Sequence, residues 1–108
     1  MQKLVESFIA TANAFDVEAA LSLFAADAVI DDISVGDAFV GHAGVRQYLD
    51  RFFVGYNTSS KLLSMVELDT FHSSVRLDFT GDFGHETGIL KIAINATGLI
   101  ERIDADLE

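Results

Sequence analysis

The hydrophobic period of this chain changes once, near residue 60, and that change limits the possible folds more than any other feature. Before it, apolar residues recur at helical spacing. Leu4, Val5, Phe8, Ile9 and Ala12 share one face while Lys3, Glu6 and Ser7 lie elsewhere, the pattern of an amphipathic helix. Asp16 is a good N-cap for a second, shorter helix in which Val17, Ala20, Leu21 and Phe24 repeat the stripe, closing at Ala25-Ala26-Asp27. Residues 28–33 read as a short strand entering a turn at Ser34-Val35-Gly36-Asp37. Phe39 and Val40 are extended, Gly41 breaks the run, and a third helix begins near His42. Its inner face carries Val45, Tyr48, Leu49, Phe52 and Phe53.

From Lys61 onward the period is two. Strands are predicted over 62–69, 73–80, 86–95 and 99–107, with hairpin connections at 81–84 and 95–98. The second of these strands alternates most sharply. Val75, Leu77 and Phe79 take one face, and Ser74, Arg76, Asp78 and Thr80 take the other. Helices first and a meander afterwards is the α+β order, not the alternating order of a parallel sheet. With no linker, repeat or low-complexity tract, residues 1–108 read as a single domain.

Charge and composition then remove several functions. Seventeen acidic against seven basic side chains give a formal charge of −10. Nucleic-acid affinity comes largely from Lys and Arg displacing counterions, so no nucleic-acid partner is expected, and no anionic membrane surface either. There is no cysteine for a disulfide, a thiol nucleophile or a thiolate-bound metal. His42, His72 and His85 are scattered, and His85-Glu86 points to opposite faces of a strand, so no metal site is expected. Gly81, Gly84 and Gly88 punctuate hairpins and form no phosphate loop. No cofactor is expected. No apolar run reaches the roughly 20 residues of a spanning helix, and the first residues lack a signal-peptide pattern, so a cytoplasmic location is the expectation.

Three motifs in the first half carry a resemblance. The run Ser7-Phe8-Ile9-Ala10-Thr11-Ala12-Asn13-Ala14-Phe15-Asp16 is followed by Ala20-Leu21-Ser22-Leu23-Phe24-Ala25-Ala26-Asp27-Ala28-Val29-Ile30-Asp31-Asp32, and then by Phe39-Val40-Gly41-His42-Ala43-Gly44-Val45-Arg46-Gln47-Tyr48-Leu49. This pattern resembles the nuclear transport factor 2-like superfamily, and within it the SnoaL-like polyketide cyclases and ketosteroid isomerase relatives. The resemblance implies a cone: three N-terminal helices packed on a strongly curved antiparallel sheet, with an apolar pocket between them. It also implies a homodimer paired through the outer face of the sheet. The ligand would be a small apolar molecule, and the candidate pocket residues are Phe8, Ala12, Phe24, Tyr48, Phe52, Met65, Phe79 and Leu90. Phe53 belongs with the same aromatic group, and Tyr56 is a surface residue or a lid.

The resemblance does not choose a reaction, because one fold hosts many chemistries. In ketosteroid isomerase-like members the general base stands where the acid-containing strand meets the turn, which matches Asp32. Only one of two adjacent strand residues points inward, so Asp31 and Asp32 cannot form a shared-proton pair. The chain departs from the isomerase pattern at the oxyanion donors. The matching positions are Phe8 and Leu90, neither of which donates a hydrogen bond, and losing one such donor costs about a hundredfold to a thousandfold in rate. Isomerase- or cyclase-like chemistry on an already acidic carbon is then the leading expectation. The alternative resembles limonene epoxide hydrolase, with Arg76 and Asp78 activating water together with Asp104 or Asp106. Against it, parity places those residues on the outer face if Val75, Leu77 and Phe79 pack on the helices. A non-catalytic ligand-binding or dimerisation module is the third reading.

Overall fold

The computed structural model describes residues Met1–Glu108. Helices α1 (Gln2–Asn13) and α2 (Val17–Leu21) come first, followed by strands β1 (Phe24–Asp32) and β2 (Asp37–Val40). Helix α3 (Gly41–Leu49) continues into a π-helical turn over Asp50–Val54. Strands β3 (Ser59–Asp69), β4 (His72–Gly81), β5 (Gly84–Ile94) and β6 (Ile100–Leu107) complete the chain.

Local chemistry explains the breaks. Helix α1 buries Val5, Phe8 and Ala12 on its apolar stripe. Phe15 then turns the backbone through a left-handed conformation (φ 56°), and the Asp16 side chain accepts from the Ala19 amide at 3.1 Å to cap α2. Helix α2 is shorter than its apolar spacing predicts. Phe24 begins β1 instead of ending the helical stripe, and Ala25, Ala26 and Asp27 are strand residues. Tertiary pairing overrides helical propensity at this point. The Ile100 amide donates to the Leu23 carbonyl at 2.9 Å, and Phe24 stands opposite Ile100 in the sheet.

The six strands form one curved sheet in the order β2-β1-β6-β5-β4-β3. Four of the five pairings are antiparallel; β1 and β6 run parallel. The sheet is therefore not wholly antiparallel as the meander suggested. The last strand inserts between β1 and β5, where Ile103 meets Ile30 on one side and Ile92 on the other. All three are fully buried, with Val75 and Leu77, under the inward faces of α1 and α3 (Val5, Phe8, Val45 and Leu49). A reciprocal pair ties the end of α1 to the start of β3. The Asn13 amide nitrogen donates to the Ser60 carbonyl at 2.9 Å, and the Ser60 amide donates back to Asn13 Oδ1 at 2.7 Å.

Candidate functional site: an apolar pocket with a buried carboxylate

Strand alternation decides which of the two adjacent acids enters the interior. Ala28, Ile30 and Asp32 are buried on the inner face of β1. Asp31 lies on the other side, 3.1 Å from Arg102 Nη2. The chain turns directly after Asp32, and that turn supplies partners for its carboxylate. Oδ1 accepts from the Ser34 amide at 2.9 Å and from Ser34 Oγ at 2.5 Å, a side-chain-to-backbone closure typical of Asp before a turn. Oδ2 accepts from the Tyr48 hydroxyl at 2.5 Å. Asp32 is 6% exposed, and all of these donors are neutral.

Tyr48 reaches Asp32 from the inward face of α3, seated among Phe39, Phe52 and Phe53 with ring centroids 5.1, 5.0 and 6.1 Å away. Burial, and then the hydrogen bond to Asp32, push its phenol far above the ordinary tyrosine value. The sign of the consequence follows directly. A folded-state value raised above the unfolded value of 10.0 leaves stability intact below pH ~10 and removes it as pH climbs further, because only the unfolded chain can ionise this group. The chain has two tyrosines. In an alkaline titration followed at the phenolate absorbance band, the Tyr48 step is expected to coincide with loss of the far-UV circular dichroism signal. A Tyr48 step completed while the fold is intact would contradict the geometry.

Around this pair lies a pocket of about 320 Å³ lined mostly by apolar groups. Asp32, Tyr48, Phe53 and Thr58 are its buried end, with Phe52 and Phe79 half-buried along the walls. Ser34, Val35, Tyr56, Phe83, Glu86 and Leu107 form the exposed rim. The rim depends on Gly81. A Cβ there would sit 2.7 Å from the Tyr56 carbonyl oxygen and 2.9 Å from the Phe83 ring, so only glycine lets the β4–β5 hairpin close on the segment after α3. The Asp82 amide completes that closure by donating to the Tyr56 carbonyl at 2.8 Å. Thr58 Oγ1 donates to the Phe52 carbonyl at 2.6 Å.

Of the residues singled out in the sequence, Asp32, Tyr48, Phe52, Phe53, Tyr56 and Phe79 come together here. Phe8, Ala12, Phe24 and Leu90 do not line the pocket. They are packed in the core, where Phe8 meets Phe24 edge-on at 5.7 Å and Phe53 at 6.5 Å. Met65 is a half-buried β3 residue opposite Val75, away from the pocket. Arg76, Asp78 and Asp104 sit on the sheet face turned away from the helices, and none reaches the pocket. Arg76 Nε and Nη2 grip Glu108 at 2.7 and 3.0 Å. Asp78 lies 2.6 Å from His85 Nε2, and Asp104 binds Arg102. Asp106 shares that face, so the water-activating set that would use these residues is not presented to the pocket. No group of three or more His, Asp or Glu side chains converges in a metal-binding arrangement, and no helix is long and apolar enough to cross a membrane.

Sequence reasoning missed Ser34, Val35, Thr58, Phe83, Glu86 and Leu107. One signal was available for Ser34: a Ser two residues after an Asp at a strand end marks the turn closure seen here. The rim residues come from separate hairpins and carry no shared spacing.

No curated protein matches the chain in sequence. Solved structures match its fold closely. A candidate polyketide cyclase from Sinorhizobium meliloti superposes with a TM-score of 0.87 at 20% identity, covering 97% of this chain and 94% of that one. RV0760c from Mycobacterium tuberculosis, solved in complex with estradiol-17β-hemisuccinate, gives 0.83 at 21% identity over 96% and 90%. The epoxide hydrolase/cyclase-like enzyme SalBIII, of pyran ring formation in the polyether salinomycin, gives 0.86 at 19% identity over 99% and 89%. At these identities the likeness establishes the shared cone fold. The family model for the SnoaL-like domain matches residues 5–98, from within α1 through β5 and including every pocket residue but Leu107, and the chain belongs to the SnoaL-like domain family.

Proposed function

We propose that this protein holds a small, mostly apolar organic molecule in the pocket between α3 and the sheet, and that Asp32 accepts a proton from it in isomerase- or cyclase-like chemistry. One observation carries the reading: a buried carboxylate faces a largely apolar cavity with an acceptor position still open. A carboxylate offers about four acceptor positions. Ser34 occupies two on Oδ1 and Tyr48 one on Oδ2, which leaves one on Oδ2 for a ligand. A base at hydrogen-bond distance from a carbon acid, set among apolar walls, is the geometry that proton abstraction requires. RV0760c, with its bound steroid ester, supports a pocket of this kind in a protein of the same fold.

Oxyanion stabilisation is not built in. Phe8 and Leu90 are core residues, and the Tyr48 and Thr58 hydroxyls already donate to protein acceptors. The substrate must therefore bring its own acidity. The same reading has two copies pairing through the outer sheet face, where Arg76, Lys91 and Arg102 alternate with Asp31, Asp104 and Asp106. The test uses 2-tetralone, a bicyclic ketone with readily exchanged protons beside its carbonyl. Its addition is expected to shift the NMR signals of the Tyr48, Phe52 and Phe79 rings and to leave Arg76 and Arg102 unmoved. In heavy water the protein should speed exchange of those protons above the buffer rate. Ring shifts without exchange would leave a binding protein, and no shifts at all would end the pocket reading.

A further inference from the structure

We infer that the pocket selects a positively charged ligand, an organic ammonium or iminium whose nitrogen lies against Asp32 and the surrounding aromatic rings. This rests on the reading that the pocket takes a small molecule and adds the ligand's charge. The starting point is an imbalance. Buried ionised carboxylates are ordinarily matched by a cationic side chain or a metal, because removing a charge from water is costly. Asp32 is 6% exposed, and its partners are an amide and two hydroxyls. No Lys, Arg or His lines the cavity, and the only other carboxyl side chain there is that of Glu86 at the rim.

The walls point the same way. Six aromatic rings line this pocket: Tyr48, Phe52, Phe53, Tyr56, Phe79 and Phe83. Their faces carry negative electrostatic potential and attract cations, more strongly once water is excluded. Within the chain itself the Arg51 guanidinium carbon lies 5.0 Å from the Phe52 ring centroid, although Arg51 does not line the pocket. An anion would meet two carboxylates and no unpaired buried donor. A neutral ligand would leave the Asp32 charge without a counter-ion. A cation completes it, and the −10 charge of the chain steers cations towards the mouth.

Three indoles of similar size test this: tryptamine (cationic), tryptophol (neutral) and indole-3-propionate (anionic). The chain contains no tryptophan, so indole fluorescence reports the ligand alone. Tryptamine is expected to bind about tenfold tighter than tryptophol or better, with indole-3-propionate weakest. Asp32→Asn should bring tryptamine and tryptophol nearly level, and level at high salt. Glu86→Gln, an exposed substitution that does not threaten folding, should reduce the preference by a smaller factor that vanishes at high salt. Equal or tighter binding of tryptophol overturns the inference while leaving the pocket reading in place. So does a tryptamine preference that survives both substitutions, since it would reflect the overall charge and not this site. If neither the three indoles nor 2-tetralone bind, both readings fall together.

Discussion

Asp32→Asn is expected to reduce catalysed exchange of the protons beside the 2-tetralone carbonyl by about a hundredfold to ten-thousandfold, the usual contribution of a positioned general base. The substitution is chosen because it should leave the local structure standing. The asparagine carbonyl can still accept from the Ser34 amide and hydroxyl, and its NH2 can donate to the Tyr48 oxygen, which serves as donor or acceptor. The expected stability loss is on the order of one hydrogen bond, about 0.5–1.5 kcal/mol. Asp32→Ala is a poorer test. It strands the Ser34 amide and the Tyr48 hydroxyl in a site that is 6% exposed, at about 1–3 kcal/mol for each unpaired group, so lost activity would be confused with lost fold. Tyr48→Phe separates the roles further. It removes one donor to the carboxylate but keeps the proton acceptor, and exchange should fall by much less than in Asp32→Asn. Exchange in Asp32→Asn equal to that of the unaltered protein would place the proton acceptor elsewhere or make the pocket purely a binding site.

The features that strand alternation controls were legible in the sequence. Alternation separates Asp31 from Asp32 and places Arg76 and Asp78 on the face away from Val75 and Leu77, because a period of two leaves no freedom once one face is buried. Depth along the interior was not legible. A helical stripe says that Phe8 and Tyr48 both face inward; it does not say that Phe8 is sealed beneath Phe53 while Tyr48 reaches open space. Beyond Leu49 the π-helical turn sets the neighbours Phe52 and Phe53 on the wall and at the buried end, a division that no helical stripe announces. The parallel β1–β6 pairing was hidden for a similar reason. It joins residues some 70 positions apart, such as Asp31 and Asp104, and nothing local in either strand names its partner. The rim is assembled from the β1–β2 turn, the segment after α3, the β4–β5 hairpin and the end of β6, so its residues become neighbours only once the sheet has curved.

Phe53→Ala should be among the most damaging single substitutions, and it should be partly reversible by a small apolar additive. Phe53 is buried and joins two regions. Its ring lies 6.5 Å from Phe8 in the core, and 6.1 and 6.3 Å from Tyr48 and Phe79 in the pocket. Truncating a buried phenylalanine to alanine costs about 3–5 kcal/mol, from lost burial and from the cavity left behind. Total stability of a small domain is only about 5–15 kcal/mol, so Tm should fall by roughly 12–40 °C at about 4–8 °C per kcal/mol. Leu68→Ala provides the control; Leu68 is 60% exposed on β3, and its loss should stay within about 0.5 kcal/mol. The reversal follows from where the space opens. The vacated volume is contiguous with a pocket that already reaches solvent, so a ring-sized molecule can enter where it could not enter a sealed core. An apolar cavity of this kind binds benzene, and any ligand that binds only the folded state raises Tm by an amount that grows with the ratio of its concentration to its Kd. Benzene or toluene should therefore raise the Tm of Phe53→Ala by more than that of the unaltered protein. An equal rise in both would mean that the space closes on itself, and that Phe53 belongs to the core alone and not to the wall between core and pocket.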